Sequence, residues 1–128
     1  MGDLDLLRRL DGRGVDVHSL AARIDALAAT PAGAALAGDA TEVVRTALEL
    51  LESGAVRAAE RGADGTWRAV PWVKRAILLA FRAGAVVDMS PPGGPLTFFD
   101  KDTLPLRPLA LVDGVRVVPG GSSIRRGA

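Results

Sequence analysis

The chain offers few side chains that could catalyse a reaction. It contains no cysteine and a single histidine among 128 residues, which excludes thiol nucleophiles, disulfides and cysteine-based metal sites. His18 has no second metal-ligand residue three or four positions away, which favours an exposed helix position over a metal ligand. Ser122 and Ser123 lack a neighbouring base and a nucleophile-elbow pattern. We therefore predict no catalytic residue, no bound cofactor and no metal site in this chain.

Two patterns that could suggest chemistry are better explained by local structure. Asp39 with Glu42 has the spacing of a helix capping box, and Glu49 with Glu52 fits a helix surface better than a glycosidase dyad. The segment 62–65, Gly-Ala-Asp-Gly, lacks the Gly-Lys-Ser/Thr ending of a phosphate-binding loop. It joins two predicted strands, and Asp followed by Gly is typical of a tight hairpin turn.

A cluster of basic residues on one predicted helix has two interpretations. Lys74, Arg75 and Arg82 could bind a phosphate group, or they could form a solvated helix face. We favour a structural role, either as a solvated helix face or as a salt-bridge partner of Glu60 or Asp64. The whole chain carries 16 basic and 15 acidic residues, so its charge favours neither nucleic acid nor an anionic membrane as a partner.

The length of 128 residues indicates one small domain or part of a larger one, and a hydrophobic content of 48% is enough for a core. We expect Trp67 and Trp72 to belong to that core, because stacking of nucleobases would need an exposed basic groove. The N-terminal residues lack the apolar stretch of a signal peptide, and the longest apolar run, 76–81, is too short to cross a membrane. These features predict a cytoplasmic protein.

The hydrophobic periodicity predicts an α+β fold. Apolar residues recur at helical spacing in four segments, whereas the segment 55–70 has the pattern of two strands joined by a turn. We expect a small mixed or antiparallel layer of strands to pack against the helix that starts near Trp72. The predicted helices cover 3–10, 15–29, 39–53 and 71–83, and the predicted strands cover 55–61, 66–70, 86–89, 96–99 and 115–118.

Several motifs occur in the order found in one enzyme family. The segment 53–81 contains SGAVRAAE, DGTW and PWVKRAILLAF, and it is followed by FFDK at 98–101 and by GVRVVP and IRRGA within 114–128. Together these motifs resemble the region before the catalytic domain of tetrahydrodipicolinate N-succinyltransferase. The resemblance covers 41–128. We therefore divide the chain into a variable N-terminal helical region, 1–40, and a family-like domain, 41–128.

The resemblance implies an activity to which this chain would contribute only one part. Enzymes of the family transfer a succinyl group from succinyl-CoA to the amino nitrogen of ring-opened tetrahydrodipicolinate, in the diaminopimelate route of lysine biosynthesis. They form homotrimers, and their left-handed parallel β-helix supplies the acid/base carboxylates and most of the CoA site. This chain ends at IRRGA, where that β-helix would begin, so the expected fold lacks the β-helix domain.

The same resemblance implies one substrate-binding residue. On the sequence alone, Arg116 is an arginine in a predicted short strand, where a surface position is the ordinary interpretation. The arginine of the family's GxRVVP motif contacts the dicarboxylate substrate, and a planar guanidinium fits a carboxylate in bidentate fashion. Arg125 and Arg126 are secondary candidates for such contacts.

The resemblance therefore predicts that this chain is the acceptor-side, N-terminal domain of an acyltransferase. We expect it to be inactive without a β-helix domain, which would come from the same gene or from a separate chain. Succinyl-CoA would be a co-substrate of the whole enzyme and not a cofactor bound by this chain. The alternative is a non-catalytic helical docking or assembly module.

Overall fold

The structure, a computed structural model, describes residues 14–128 and has the predicted α+β class. The helix predicted over residues 3–10 lies outside the described residues. The elements are α1 Val17–Ala28, α2 Ala40–Ser53, β1 Ala59–Arg61, β2 Trp67–Ala69, α3 Pro71–Ala83, β3 Val86–Asp88 and β4 Phe99–Lys101, followed by a 3-10 turn at Leu111–Asp113.

Helix α1 begins with a side-chain cap. The carboxylate of Asp16 accepts hydrogen bonds from the backbone N–H groups of His18 and Ser19, at 3.0 and 3.2 Å. These bonds satisfy donors that the first turn of a helix leaves free. The side chain of His18 is exposed, as predicted. Thr30 and Pro31 follow the helix, and proline cannot continue its hydrogen-bond ladder.

The start of α2 corrects one prediction. Asp39 precedes the helix, but its carboxylate makes no hydrogen bond to the helix backbone, so the predicted capping box with Glu42 is wrong. Both carboxylate oxygens instead accept hydrogen bonds from Arg23 on α1, at 2.6 and 2.7 Å. This charge-assisted pairing holds the pKa of Asp39 below its ordinary value. The pair therefore ties the beginning of α2 to α1.

The predicted end of α2, the turn of the first hairpin and the start of α3 are confirmed, whereas the strand predicted from residue 55 begins only at Ala59. Gly54 ends α2 in the left-handed conformation, with φ 80°, which glycine adopts without a steric penalty. Gly65 has φ 81° in the β1–β2 turn, where the Asp64 carboxylate accepts a hydrogen bond from the N–H of Thr66 at 3.1 Å. Pro71 occupies the first turn of α3, where its missing N–H costs no hydrogen bond.

Helix α3 lies against both α1 and α2 and forms the centre of the core. The side chains of Val73, Ala76 and Ala80 have no exposed surface, and the two alanines allow the neighbouring helices to approach closely. Ile24 on α1 is also fully buried, so residues 17–28 share one core with the rest of the helices. The other buried residues of this cluster are Leu20, Leu27, Ala40, Val44, Ala47, Leu48, Leu50, Val56, Leu79 and Leu104.

The four strands form two separate antiparallel pairs, β1 with β2 and β3 with β4. Both strands of the first pair are exposed. Trp67 on β2 lies opposite Arg61 and is 68% exposed, so its predicted place in the core is wrong. A two-stranded hairpin buries a side chain only where another layer covers it, and the core does not cover β2. Trp72 on α3 is half-buried against the core, as predicted.

Two strand predictions in the C-terminal part also need correction. The strand predicted over 96–99 lies at Phe99–Lys101, although the N–H of Met89 still donates to the carbonyl of Phe98 at 2.8 Å. The segment 115–118 is exposed and is not a strand. Within residues 14–128 no strand pairs with it, and β-favouring valines do not form a strand without a partner.

The basic cluster on α3 has other partners than those predicted. Arg75 donates to Asp25 on α1 at 2.6 Å, and Arg82 donates to three backbone carbonyls in the loop after α1, at 2.7–2.8 Å. Asp64, one of the predicted partners, pairs with Arg68 within the hairpin at 2.6 Å. Arg75 and Arg82 thus stabilise the packing of α3 on α1 and its loop.

We expect Ile24→Ala to lower the free energy of unfolding by about 2–5 kcal/mol, because it leaves a cavity where no surface is exposed. The milder change Ile24→Val should cost about 0.5–1.5 kcal/mol and keeps the comparison possible if the alanine variant does not fold. Leu78→Ala, at a position 57% exposed on α3, is the control and should cost less than about 0.5 kcal/mol. Urea unfolding followed by circular dichroism measures all three. If Ile24→Val lowers the free energy of unfolding no more than the control does, the claim that α1 is part of the core is contradicted.

Candidate functional site

The part of the chain after α3 has almost no core of its own. Leu104 is the one buried hydrophobic residue that lies after residue 84, whereas thirteen others lie within residues 14–84. Of the fourteen large hydrophobic residues exposed among residues 14–128, eleven lie between Val86 and Val118. We call these eleven side chains the C-terminal apolar surface. A concentration of exposed apolar side chains in one region is typical of a surface that another structure covers.

The segment 111–118 is the most exposed part of this surface. The side chains of Leu111 and Val112 are 101% and 92% exposed, which is as much as in an extended chain. The segment begins with a short turn, in which the carboxylate of Asp113 accepts a hydrogen bond from the N–H of Ala110 at 2.7 Å. Gly114 then takes φ 66° and redirects the backbone. This turn presents hydrophobic side chains to solvent instead of burying them.

Arg116, the substrate-binding residue implied by the sequence resemblance, lies within this segment. Its side chain is exposed and makes no hydrogen bond or ion pair to any of the residues 14–128. An arginine without a partner keeps all five N–H donors of its guanidinium available for an anion. Neither of the two clefts lined by residues of the C-terminal part includes it. The structure thus places Arg116 on an exposed part of the surface.

The tail of the chain is held against the segment 105–107 by backbone hydrogen bonds. The N–H of Arg107 donates to the carbonyl of Ile124 at 2.8 Å, and the N–H of Arg126 donates to the carbonyl of Pro105 at 2.9 Å. Between these two hydrogen bonds, Leu106 and Arg125 pair as an isolated antiparallel β-bridge. The last residues therefore follow a fixed path across the C-terminal part.

Arginine ion pairs fasten this tail to the rest of the domain. The Nε of Arg125 donates to Asp100 on β4 at 2.9 Å, and its guanidinium lies 5.3 Å from the ring centre of Phe81. The Nε of Arg126 donates to Glu52 on α2 at 2.7 Å. Two hydrogen bonds hold the pKa of the Asp100 carboxyl below its ordinary value. The larger contribution comes from the backbone N–H of Lys101, and the second comes from the side chain of Arg125.

The sequence did not predict these ion pairs. Glu52 was interpreted as a helix-surface carboxylate, and Arg125 and Arg126 as secondary substrate contacts. The available signal was the opposite charge of the FFDK and IRRGA motifs, which carry Asp100 and the two arginines. Because their guanidinium groups are paired, Arg125 and Arg126 would have to exchange a protein carboxylate for a substrate carboxylate.

An amphipathic cleft of about 510 Å³ lies between the β3–β4 pair and the tail. Its apolar walls include Phe98, Phe99 and Leu106, and its polar lining includes Ser123 and Arg125. A cleft with this lining can hold a hydrophobic group that carries a hydrogen-bonding end. Ser122 and Ser123 are exposed there, whereas His18 lies on α1.

The described part of the chain contains neither a candidate metal cluster nor a helix that could cross a membrane. Residues 14–128 contain no cluster of three or more His, Asp or Glu side chains that could hold a metal ion. Across the same residues, none of the helices has the length and apolar character required to span a bilayer.

The architecture is that of a small helical domain with two hairpins and one uncovered apolar surface, and similarity to known proteins gives its family. The model of the family described as "Tetrahydrodipicolinate N-succinyltransferase N-terminal" matches residues 19–83. The chain belongs to this family, which confirms the recognition made from the motifs. The match covers α1 from its third residue onward, the whole of α2 and α3, and the β1–β2 hairpin.

Individual relatives carry the corresponding enzyme name, 2,3,4,5-tetrahydropyridine-2,6-dicarboxylate N-succinyltransferase. The protein from Granulibacter bethesdensis is 39% identical over 122 residues, which are 89% of this chain and 42% of the relative. Those from Rhizobium rhizogenes and Nitrobacter hamburgensis are 48% and 52% identical over 66 and 63 residues, about half of this chain and 22% and 21% of the relatives. The chain thus spans less than half the length of these relatives.

The domain boundary predicted at residue 40 remains a prediction. The family match begins at residue 19, inside the predicted region 1–40. In the structure, residues 17–28 form α1 and share the core with α2 and α3. The described residues before 41 are therefore physically continuous with the family-like part.

We expect Asp100→Asn to make the stability of the chain less sensitive to acid. The pKa of Asp100 is lowered in the folded state, so its contribution is present above the unfolded value of about 3.9 and is lost as the pH falls through the lower folded value. Melting temperatures measured from pH 7 down to about pH 2 should converge for the two proteins at the acidic end. The loss of melting temperature that Asp100→Asn causes at pH 7 should be smaller when Arg125→Met is also present. That second change removes one of the two hydrogen bonds that lower the pKa of Asp100. Parallel curves at every pH would contradict the role given to this carboxylate.

Proposed function

We propose that the chain is the acceptor-side, N-terminal domain of a succinyl-CoA-dependent tetrahydrodipicolinate N-succinyltransferase in diaminopimelate and lysine biosynthesis. The proposal is supported by the family match over residues 19–83 and by the enzyme name that its relatives carry. The chain spans at most 42% of these relatives, which supports the proposal that it contributes only one part of the activity. A cytoplasmic location is part of the same proposal.

Arg116 binds a carboxylate of the acceptor in this proposal. The observation that carries it is that the Arg116 side chain is exposed and has no hydrogen bond or ion pair to any described residue. The acceptor named in the relatives, tetrahydropyridine-2,6-dicarboxylate, carries two carboxylates. A guanidinium can bind one of them through two parallel N–H···O bonds, which fixes the orientation of the acceptor as well as its position.

The chemical step requires groups from another domain. General acid/base catalysis needs a titratable group within hydrogen-bond reach of the reacting nitrogen, and Arg116 cannot act as a base. We propose that a β-helix domain supplies this group and the succinyl-CoA site, and that it packs on the C-terminal apolar surface. It would come from the same polypeptide or from a separate chain, in an assembly that is trimeric as a whole. This chain alone would bind no cofactor and would be inactive.

A non-catalytic docking or assembly module is the second candidate. It is favoured by the same uncovered apolar surface, which needs a partner whether or not that partner is an enzyme. The two candidates differ in one respect, because only the first requires that Arg116 affect the rate of a succinyl transfer.

We expect succinyl transfer only when this chain is mixed with the separately produced C-terminal part of the Granulibacter bethesdensis relative. The assay follows release of free CoA from succinyl-CoA with 2-aminopimelate as acceptor. Arg116→Ala should lower kcat/KM for the acceptor by about 10- to 100-fold, the effect of losing hydrogen bonds to a charged group. Arg57→Ala, at an exposed arginine after α2, is the matched control and should leave the rate unchanged.

The outcomes separate the two candidates. A rate in the mixture that Arg116→Ala reduces and Arg57→Ala does not supports the enzyme domain. Binding of the two parts without any transfer supports the assembly module. Transfer by this chain alone would contradict the proposal that the catalytic groups lie outside it.

A further inference from the structure

The FFDK motif, 98–101, is not used by the proposed function, but the structure gives its last residue a role. Lys101 is half-buried at the end of β4, and its ammonium donates a hydrogen bond to the carbonyl of Gly84 at 2.9 Å. Gly84 directly follows the last residue of α3. A cation is favourable there, because the carbonyl end of a helix carries a partial negative charge. Lys101 therefore caps α3 from another element of the fold.

The two residues after Lys101 bind the same end of the helix. The hydroxyl of Thr103 donates to the carbonyl of Ala80, in the last turn of α3, at 2.5 Å. Asp102 and Ala85 form a reciprocal pair, in which the Asp102 carboxylate accepts from the N–H of Ala85 at 2.9 Å. The N–H of Asp102 in turn donates to the carbonyl of Ala85, also at 2.9 Å. Three consecutive residues thus hold the end of α3.

Gly84 shows how closely this segment approaches the helix. Its backbone has φ −80° and ψ 152°, a conformation open to any residue, in contrast to the left-handed Gly54 that ends α2. A Cβ atom added at Gly84 would lie 2.2 Å from the Oγ1 of Thr103 and 3.0 Å from the Oδ1 of Asp102. The first of these distances is far inside van der Waals contact. The close contact with residues 101–103, and not the backbone conformation, therefore requires glycine here.

These contacts attach the C-terminal part to the helices, and we call residues 101–104 the α3 anchor. Leu104, its last residue, is 3% exposed and belongs to the core. Lys101 lies opposite Val86, so the anchor also joins the base of the β3–β4 pair. The next residues, 105–107, hold the tail by backbone hydrogen bonds. The anchor thus connects the β3–β4 pair and the tail to the helical core.

We propose that Lys101 and Thr103 are positioning residues, which set the place of the C-terminal part on the helical core and bind no substrate. The anchor is a property of this chain, whereas its effect on a reaction rests on the proposed function. A lysine that binds a substrate anion presents its ammonium to solvent. Lys101 is half-buried instead, and its ammonium bonds to a main-chain carbonyl.

Amide hydrogen exchange of this chain alone tests the anchor. The reporters are the N–H groups of Arg107 and Arg126, whose hydrogen bonds do not involve the anchor side chains. Lys101→Met keeps the length of the side chain but removes the ammonium. It should speed exchange of both reporters by about tenfold, the effect of losing a hydrogen bond from a charged donor. Lys101→Arg keeps a cationic donor and should restore slow exchange, and Lys74→Met, at an exposed position on α3, is the control.

Gly84→Ala should speed exchange of the same reporters, although alanine ordinarily stabilises a protein where the backbone conformation suits it. The added Cβ would push the Thr103 hydroxyl away from Ala80, so Gly84→Ala and Thr103→Ala remove the same hydrogen bond. The double variant should therefore exchange more slowly than the product of the two single effects. Gly38→Ala is the matched control, because no atom lies within 4 Å of its added Cβ.

Succinyl transfer measures whether this position matters for the reaction. The assay uses the mixture of this chain with the C-terminal part of the Granulibacter bethesdensis relative. Gly84→Ala removes neither a charge nor a side chain that could bind substrate. We expect Gly84→Ala and Lys101→Met to lower the rate by about tenfold each, in proportion to their effect on exchange. Gly38→Ala and Lys74→Met should leave the rate unchanged.

Three results would overturn the inference. The first is exchange of Arg107 and Arg126 at the parent rate in both Lys101→Met and Gly84→Ala, and the milder Lys101→Met keeps this test possible if Gly84→Ala does not fold. The second is a lower transfer rate in Lys101→Met with unchanged exchange, which would assign Lys101 to substrate binding. The third is faster exchange in both variants with an unchanged transfer rate.

The proposed function has a separate failure. If the mixture of the unchanged proteins transfers no succinyl group, the proposed function is rejected. The exchange measurements need no activity, so they would still decide whether Lys101 and Thr103 position the C-terminal part.

Discussion

The packing of α3 between α1 and α2 is the constraint on which the rest of the structure depends. Val73, Ala76 and Ala80 have no exposed surface, and two of these three are alanines, so the helices pack at short distance. The polar contacts around this core reinforce the same arrangement. Arg23 joins α1 to the start of α2, and Arg75 joins α3 to α1. Since apolar burial provides most of the stabilisation of a domain, the three helices form its self-sufficient unit.

The C-terminal part follows a different principle. With Leu104 as its buried hydrophobic residue, this part is held mainly by hydrogen bonds and by the pairs Arg125–Asp100 and Arg126–Glu52. Partly exposed ion pairs contribute little to stability, but they do fix geometry. The result is a tail tied to β4 and α2, beside the exposed side chains of Phe98, Phe99 and Leu106. The relatives that the chain matches are longer proteins, of which it spans less than half.

Local sequence signals predicted the helices and most of their ends. These signals act within a few residues of the chain, so the local sequence is enough to predict the structure there. Examples are the apolar spacing of α3, Gly54 after α2 and the turn before Trp67. The errors all depend on partners that are distant in the chain. Asp39 binds Arg23 instead of capping α2, and Trp67 lacks a covering layer. The valines near Arg116 form no strand, because nothing among the described residues pairs with them. The family motifs placed Arg116 in the candidate site but gave no indication of its open surroundings.

Native-state hydrogen exchange of this chain alone tests the central claim, that the helices are self-sufficient and the C-terminal part is not. Amides of α1, α2 and α3 should exchange slowest and at the rate set by global unfolding. Amides of residues 105–128 should exchange faster by about two orders of magnitude or more, through local opening. Equally slow exchange in residues 105–128 and in α3 would contradict the account. It would mean that the C-terminal part unfolds only with the core and needs no second structure to hold it.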